Sequence, residues 1–451
     1  MTVRRRRPLA AVLALVVAVA VVGALSSPPP ARSQAGVDVF LDLFKTGAKK
    51  LNIVIPDFTV VAGTDSQGLG KQVPQVLAKD LTFSALFSVV SSLITELPAP
   101  PADNPKALQE LWADSAAKGA HAGLHGLLRL RGDRVDAEMR LYDLTDPAQR
   151  LIAVKKFEMP LAQARRLSHK IADEVVFQFT GEPGVADTKI AYVGSGSGSK
   201  ELYAVDYDGA NVQRLTSNGS INLSPVWSPD TRSLAFTSYM NGYPFLYRLF
   251  VFERRPVQLL AGHPGINSSP AWSPDGRQVA LTLSKDGNPQ IYALNVATGG
   301  LIRLTAYAGI DTEPTWSPDG TRIAFVSERG GGAQIYVMDA AGSNVRRLTD
   351  TGFNTQPRWS PKGDTIAFTS RQGNHDIWAV SPDGSNLRRL TAGPGSNESA
   401  SWAPNGRHLL FQSNRLGAFQ LFTMLADGSE QQPATRGPGE ATSGSWSPRL
   451  P

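Results

Sequence analysis

The sequence predicts a mixed fold: a small N-terminal α/β domain followed by a six-bladed β-propeller that its own C-terminal strand closes. The first observation is a tryptophan, followed by Ser-Pro or a close variant, that recurs at steps of 45, 44, 43, 43 and 44 residues. A fixed period in the forties is typical of propeller blades, which stack as similar units. The second observation is a stretch before the repeats in which strand-like and helix-like periods mix. The repeated tryptophans are Trp227, Trp272, Trp316, Trp359, Trp402 and Trp446.

The N-terminus has the pattern of an export signal. Four arginines at 4–7 precede an apolar run at 9–25, and Ser-Ser-Pro-Pro-Pro follows. Ser33 and Ala35 are the small residues that a signal peptidase needs, so residues 1–35 are predicted to be a cleaved signal peptide. An uncleaved anchor is the alternative. The sequence predicts no membrane span after signal removal.

Charge and cysteine usage exclude several classes of function. The formal net charge of +6 falls to +1 without residues 1–35, because that segment carries five arginines and no acid. No basic stripe for nucleic acid is therefore expected in the mature chain. The chain has no cysteine, which excludes thiolate metal sites, iron–sulfur clusters, cysteine nucleophiles and lipid attachment through cysteine.

Residues 36–183 are predicted to form the small α/β domain, and residues around 180–187 are predicted to link it to the propeller. Alternating apolar positions indicate strands, and apolar positions three and four apart indicate helices. The predicted elements are a half-buried strand at 50–58, helices at 70–81 and 104–118, a three-strand meander at 124–157 and a helix at 161–179.

Residues 187–451 are predicted to form the propeller, with four short strands in each repeat. A repeat reads Pro-x-Trp-Ser-Pro-Asp-Gly, an apolar strand, Gly-x-x-x-Ile-Tyr, a polar turn and Arg-Leu-Thr. The first repeat lacks its Trp-Ser-Pro, whereas the chain ends shortly after an unaccompanied one at Trp446. We therefore expect the last strand to complete the first blade and to leave no open sheet edge in the ring.

The loops of a propeller fall into two sets, one at each mouth of its channel. We expect the short Pro-Asp-Gly and Asp-Gly turns at one mouth, and the more variable loops, suited to binding, at the other. Positions two and three before each tryptophan are predicted to line the inner rim of that variable mouth. The candidates there are Ser224, Ser269, Glu313, Gln356, Ser399 and Ser443.

The mature chain resembles the TolB family, periplasmic components of Tol–Pal systems. The resemblance is carried by the domain order, by Ile190-Ala-Tyr-Val193 with Asp206-Tyr-Asp-Gly209, by Ala280-Leu-Thr-Leu-Ser-Lys285, by Thr312-Glu-Pro-Thr-Trp316 and by the final Trp446-Ser-Pro448. It implies a periplasmic scaffold, not an enzyme, that supports outer-membrane integrity and constriction at cell division. It also implies two partners: Pal, a peptidoglycan-associated lipoprotein, on the propeller face, and the inner-membrane protein TolA at the mature N-terminus.

The resemblance also implies where these partners bind. Thr312 and Glu313 match the family's Thr-Glu pair that contacts Pal, and we expect them on an exposed loop, where Glu313→Arg would abolish binding without changing the fold. The alternative is that this pair only caps a loop. Candidates for a TolA-like partner are Val37, Val39, Phe40 and Phe44. The protein is expected to be a monomer without a cofactor.

Catalytic and metal sites are not predicted. His121 and His125 have a helical metal-binding spacing but fall at a predicted strand, where four residues span about 13 Å. His263 and His375 belong to different blades, and no Gly-x-Ser-x-Gly motif is present. The segment 206–209 is compatible with calcium but is interpreted as a plain turn. A propeller enzyme of the polysaccharide-lyase type and a sensor of peptides or glycans remain as alternative functions.

Overall fold

The computed structural model describes residues 50–90 and 104–451. The predicted signal peptide and the segment with Val37, Val39, Phe40 and Phe44 lie outside the described residues. Within the two described ranges, the structure contains no helix with the length and hydropathy that a membrane crossing requires.

Within the described residues, the small domain contains a six-stranded mixed sheet and three α-helices. Its strands run in the order β3-β1-β4-β5-β6, and β2 pairs separately with β4. The strands are β1 Leu51–Val54, β2 Thr59–Ala62, β3 Phe87–Val89, β4 Ala122–Arg131, β5 Arg134–Asp143 and β6 Leu151–Pro160. The helices are α1 Leu69–Phe83, α2 Pro105–Ala117 and α3 Ala164–Thr180, the last preceded by a 3-10 turn at Leu161–Gln163.

The first predicted strand is partly wrong. Instead of one half-buried strand at 50–58, β1 ends at Val54 and β2 begins at Thr59. Both pair in parallel with β4, and Pro56 lies in the gap between them, where its missing N–H breaks no ladder bond. The predicted helices and meander are confirmed. Asn104 caps α2 by accepting the Ala107 N–H at 3.1 Å.

The propeller has six four-stranded antiparallel blades. We number them from blade 1, the sheet that contains both the first and the last propeller strand, and the following blades in chain order. The inner strands are β10 Asn222–Trp227, β14 Asn267–Trp272, β18 Asp311–Trp316, β22 Phe353–Trp359, β26 Asn397–Trp402 and β30 Ala441–Trp446. The second strands are β7 Lys189–Gly194, β11 Ser233–Ser238, β15 Gln278–Leu283, β19 Arg322–Ser327, β23 Ile366–Gln372 and β27 His408–Ser413.

The outer half of each blade contains a third strand and a short outer strand. The third strands are β8 Glu201–Asp206, β12 Phe245–Phe250, β16 Gln290–Asn295, β20 Gln334–Asp339, β24 Asn374–Val380 and β28 Gln420–Leu425. The outer strands are β9 Gln213–Arg214, β13 Gln258–Ala261, β17 Leu301–Arg303, β21 Arg346–Arg347, β25 Arg388–Arg389 and β29 Gln432–Pro433. Apolar side chains fill the space between neighbouring blades.

The polar residues of the repeat form hydrogen bonds that stabilise its turns and its outer strand. In Ser-Pro-Asp-Gly the serine hydroxyl donates to the aspartate, at 2.5 Å between Ser317 Oγ and Asp319 Oδ1. This bond and those from Thr321 lower the pKa of Asp319 to about 2. The threonine of Arg-Leu-Thr anchors the outer strand: Thr305 Oγ1 accepts the Ile291 N–H at 3.0 Å. The repeat is therefore mostly architecture.

The predicted closure of the ring is confirmed. β30 pairs antiparallel with β7, so that Trp446 lies opposite Ile190 and Ala441 opposite Gly194. Blade 1 is thus built from both ends of the propeller sequence, and the inner strand β30 contacts the inner strands on either side of it. Because the edge of β7 is paired, the ring has no free inner edge.

The small domain and the propeller share one apolar core. Phe83 at the end of α1 stacks on His408 with ring centroids 4.6 Å apart, and its ring also packs on Tyr207 and Trp446. His408 Nε2 lies 3.1 Å from the Phe83 carbonyl oxygen. Asp173 of α3 accepts backbone N–H groups of the linker, at 2.7 Å from Ala186. The predicted domain limits at 183 and 187 stay predictions, and they lie between α3 and β7.

Replacing Trp446 by alanine should cost about 3–5 kcal/mol of unfolding free energy. Its side chain is 5% exposed, its indole N–H donates to Thr188 Oγ1 at 2.8 Å, and it lies where ring closure and the domain interface meet. Urea unfolding measures the loss. The control is Leu416→Ala, at a leucine that is 70% exposed, which should change stability by less than about 0.5 kcal/mol. Similar losses in both variants would contradict the interpretation.

Acid should destabilise the protein through His408. Burial lowers the pKa of His408 to about 4, from an ordinary value of 6.5, so the native state holds the ring neutral while the unfolded chain takes up a proton. The stabilisation is complete above pH 6.5 and is lost as pH falls towards 4, by about 3 kcal/mol. His408→Gln keeps a donor for the Phe83 carbonyl and removes the titration.

The measurement is the unfolding free energy of both proteins between pH 7 and pH 4. His408→Gln should lose about 3 kcal/mol less than the wild type over this range. The control is Leu416→Ala, at an exposed site without a titratable group, which should follow the wild-type profile. An unchanged pH dependence in His408→Gln would show that this histidine does not couple stability to pH.

Candidate functional site

Strand direction defines the two mouths of the channel. The Pro-Asp-Gly turns after the inner strands and the turns after the third strands lie on one side, which we call the turn mouth. The loops before the inner strands and those between second and third strands lie on the other side, the loop mouth. The antiparallel order of all six blades confirms the predicted division of the turns.

The six candidate positions before the tryptophans form a ring of β-bulges around the channel. Each of them has a positive φ, between 50° and 55°, and a register shift in the inner strand. Positive φ is uncommon for residues other than glycine and is kept where the surroundings enforce it. This bulge ring consists of Ser224, Ser269, Glu313, Gln356, Ser399 and Ser443.

The bulges turn backbone N–H groups out of their own blade and towards the preceding blade. The N–H of Gln356 donates to Glu313 Oε2 at 2.6 Å, and the N–H of Ser399 donates to Gln356 Oε1 at 3.1 Å. The N–H of Ser443 donates to Gln412 of the blade before it at 2.8 Å. The bulge ring therefore connects neighbouring blades as well as lining the channel.

A cavity of about 410 Å³ extends from the bulge ring to the Trp-Ser-Pro segments at the turn mouth. Its lining includes two charged side chains, Glu313 and Arg358. Burial raises the pKa of Glu313, while the Gln356 N–H and Arg358 act in the opposite direction. Burial also lowers the pKa of Arg358, opposed by Glu313. The channel thus holds a carboxylate and a guanidinium whose opposite charges act on each other.

Arg358 is a channel residue that the sequence reasoning missed. It occupies the position directly before the tryptophan, where the other blades carry small or apolar residues. Its guanidinium donates to the Pro357 carbonyl at 2.9 Å and lines the cavity. A comparison of this single position between blades would have revealed the exception.

The expectation that Thr312 and Glu313 lie on an exposed loop is wrong. Both belong to strand β18, both are half-buried, and Glu313 is held at its N–H by Thr282 Oγ1 at 3.1 Å. The pair therefore does not cap a loop either. Glu313 faces the channel, and Thr312 precedes it on the side of the loop mouth.

The loop mouth carries a group of exposed apolar side chains. They come from the loop-mouth side of four blades, where five belong to loops and Phe353 begins strand β22. They are Ile221, Tyr239, Tyr243, Ile266, Phe353 and Leu416. His263 and His375 also lie on this side; the main chain of His263 binds Asn267, and His375 Nδ1 lies 3.4 Å from Glu398.

The small domain packs on the opposite side, at the turn mouth of blades 5, 6 and 1. Glu182 lies 3.6 Å from Lys362 of blade 5, and Lys50 lies 3.1 Å from Glu430 of blade 6. Arg165 pairs with Asp208 of blade 1. Among the described residues, the contacts between the domains therefore leave the loop mouth uncovered.

His121 and His125 of the small domain contact strands β1 and β2 of its sheet. His121 Nδ1 accepts the Asn52 N–H at 3.0 Å, and His125 Nε2 lies 3.3 Å from Thr59 Oγ1. Burial lowers the pKa of His125 to about 4, so its ring is neutral at neutral pH. The strand predicted at this position is confirmed as β4.

Fold and channel together define a two-domain β-propeller protein with a closed ring of six blades and an α/β domain at one mouth. Residues 39–151 match the model of the TolB amino-terminal domain, and residues 176–450 match that of the TolB beta propeller domain. Because the second match alone covers more than half of the chain, the chain belongs to the TolB family.

Individual relatives agree with this assignment. The chain is 40% identical over 204 residues to a Tol-Pal system protein TolB of Geobacter sulfurreducens, which covers 44% of each chain. It is 36% identical over 212 residues to the protein of that name in Desulfosudis oleivorans, covering 46% of this chain and 47% of the relative. The chain spans about half the length of the curated relatives it matches. The crystal structure of TolB from Acinetobacter baumannii is similar over 89% of this chain and 97% of that one, with 27% identity and a TM-score of 0.77.

Replacing Glu313 by arginine should destabilise the propeller by about 3 kcal/mol or more, because two cations would then face each other in the channel and the Gln356 N–H would lose its acceptor. Glu313→Gln retains an acceptor oxygen and should cost less than about 1.5 kcal/mol. Urea unfolding of both variants tests this. Equal stability of the two would show that the charge of Glu313 does not matter for the fold.

Proposed function

We propose that this protein is a periplasmic scaffold of a Tol–Pal envelope system. Its propeller binds a Pal-like, peptidoglycan-associated lipoprotein at the loop mouth, and its N-terminal segment binds a TolA-like inner-membrane protein. In this role it supports outer-membrane integrity and constriction at cell division. Membership of the TolB family supports the system, and the uncovered loop mouth with its apolar side chains is the observation that carries the binding face.

The composition of the loop mouth suits a protein partner. Exposed aromatic and aliphatic side chains around a polar centre resemble the apolar core and polar surroundings of protein interfaces. Tyr243 is 65% exposed and Ile266 is 41% exposed, and both come from loops adjoining blade 2 and blade 3. Less exposed than these are Thr312, Glu313, Ser224, Ser269, Gln356 and Ser399, which are half-buried, and we propose that they meet the part of the partner that enters the channel.

The chemistry of the channel favours binding over catalysis. The described side chains that line the cavity include one carboxylate and one guanidinium but no histidine or lysine that could act as a base beside a serine. Catalysis also needs a reactive group in reach of an activating partner. We therefore propose that the protein is not an enzyme.

The double variant Tyr243→Asp, Ile266→Asp should abolish partner recovery while keeping the fold, because both side chains are exposed. The mature chain, immobilised, is incubated with detergent-solubilised envelope of the source bacterium, and bound proteins are identified by mass spectrometry. Wild type should retain a lipoprotein with a peptidoglycan-binding domain, and the double variant should retain at least about tenfold less.

The matched control is Leu387→Asp, since Leu387 is 42% exposed at the turn mouth and Ile266 is 41% exposed at the loop mouth. The control should bind like the wild type. Failure of the wild type to retain any lipoprotein would overturn the proposed partner. Equal loss in the control would overturn the proposed face.

A further inference from the structure

A buried polar cluster lies where helix α3 of the small domain meets the first blade. His169 of α3 lies beside Asp206, the last residue of β8, and Asp208 in the turn that follows. One ring nitrogen of His169 and one carboxylate oxygen from each aspartate lie within 4.8 Å of one another. Two domains thus bring an imidazole and two carboxylates together around one point.

His169 is oriented by a second layer of bonds. Its Nδ1 lies 2.8 Å from Asp80 Oδ2, and the Tyr207 hydroxyl donates to Asp80 Oδ1 at 2.5 Å. Asp80 and His169 are each 3% exposed. A carboxylate that accepts the Nδ1–H fixes the tautomer in which Nε2 carries a lone pair, and metal-binding histidines are commonly held in this way.

The other ring nitrogen, Nε2, is buried and has no hydrogen-bond partner among the described residues. Leaving a buried polar atom unpaired costs about 1–3 kcal/mol, so such an atom calls for a specific explanation. The nearby carboxylates supply one, because a cation between them and Nε2 would satisfy all three groups.

Asp206 and Asp208 have cationic partners, but these do not use all the lone pairs of the two carboxylates. Lys189 Nζ lies 2.5 Å from Asp206 Oδ1, Asn211 donates to Asp206 Oδ2 at 2.7 Å, and Arg165 pairs with Asp208. A carboxylate offers about four lone-pair sites, so these bonds leave room for a metal. With Asp80 included, three carboxylates and two cationic side chains, those of Lys189 and Arg165, lie in this region.

An open cavity reaches two members of the cluster, His169 and Asp206. A cavity of about 600 Å³ at the domain boundary is lined by His169 and Asp206 as well as Lys189 and Asn211. An ion could enter through it, and the side facing the cavity could hold a water molecule as a further ligand.

We propose that His169, Asp206 and Asp208 form a binding site for a divalent transition metal, of which Zn²⁺ fits best. One imidazole nitrogen with carboxylate oxygens suits Zn²⁺, whereas Ca²⁺ prefers oxygen ligands alone. Binding would draw the ligand atoms to about 3.3 Å from one another, the spacing that tetrahedral bonds of about 2.0 Å require. The ion would tie α3 to the first blade. This site is independent of the partner-binding face proposed above.

Metal titration of the purified protein tests the site. After treatment with a chelator and dialysis, the wild type should bind one Zn²⁺ per chain at neutral pH in calorimetry, with micromolar or tighter affinity. When Co²⁺ is added in place of Zn²⁺, the protein should show visible ligand-field absorption. His169→Gln and Asp208→Asn should each weaken Zn²⁺ binding at least about tenfold, and Asp80→Asn about 10–100-fold through the orientation of His169.

The matched control is His263→Gln, which removes a propeller histidine whose main chain is hydrogen-bonded to Asn267 and should leave Zn²⁺ binding unchanged. Circular dichroism and the unfolding midpoint without metal establish that each variant folds. Should His169→Gln fail to fold, Asp208→Asn decides, because Asp208 is less buried than His169. Absence of stoichiometric binding in the wild type, or wild-type affinity in the folded ligand variants, would overturn the proposal.

Discussion

The pairing of β30 with β7 is the interaction on which the rest of this structure depends. It joins the final propeller strand to the first one and closes six sheets into a ring, so that each inner strand has a neighbour on both sides. It also brings Trp446 against Phe83 and Thr188, where the small domain meets blade 1. Ring closure and domain docking therefore depend on the same side chains. A substitution that weakens the closure of the ring should also weaken the contact between the domains.

The bulge ring shows how a repeated backbone feature can serve both stability and binding. A bulge takes one residue out of the strand ladder, and here its freed N–H reaches a side chain of the preceding blade. The same residue points its side chain into the channel. Variation of that side chain, from serine to glutamine to glutamate, adjusts the polarity of the channel while the backbone geometry stays constant.

Most of the fold could be predicted from the sequence because it rests on repetition. The spacing of the tryptophans indicates the number of blades, and the unaccompanied Trp446 indicates how the ring closes. The strand at 50–58 was divided because Pro56 interrupts a short apolar run that looks continuous by composition alone. A strand of four residues contains too few alternations of apolar and polar positions for such a break to be recognised in the sequence.

The sites were harder to predict, for physical reasons. Positive φ at Glu313 or Gln356 leaves no mark in the sequence, since neither residue type favours that region. Glu313 therefore seemed to lie on an exposed loop. The approach of His169 to Asp206 depends on how two domains dock, which no local pattern encodes.

The position of β30 at the end of the propeller sequence also governs the order of folding. Blade 1 cannot form its inner hydrogen bonds until the last strand has been synthesised, and residues about 250 positions apart must then meet. Such distant contacts slow folding. Until they form, β7 is an open edge that can pair with strands of other chains, so the nascent protein is expected to need protection from aggregation until β30 has paired with β7.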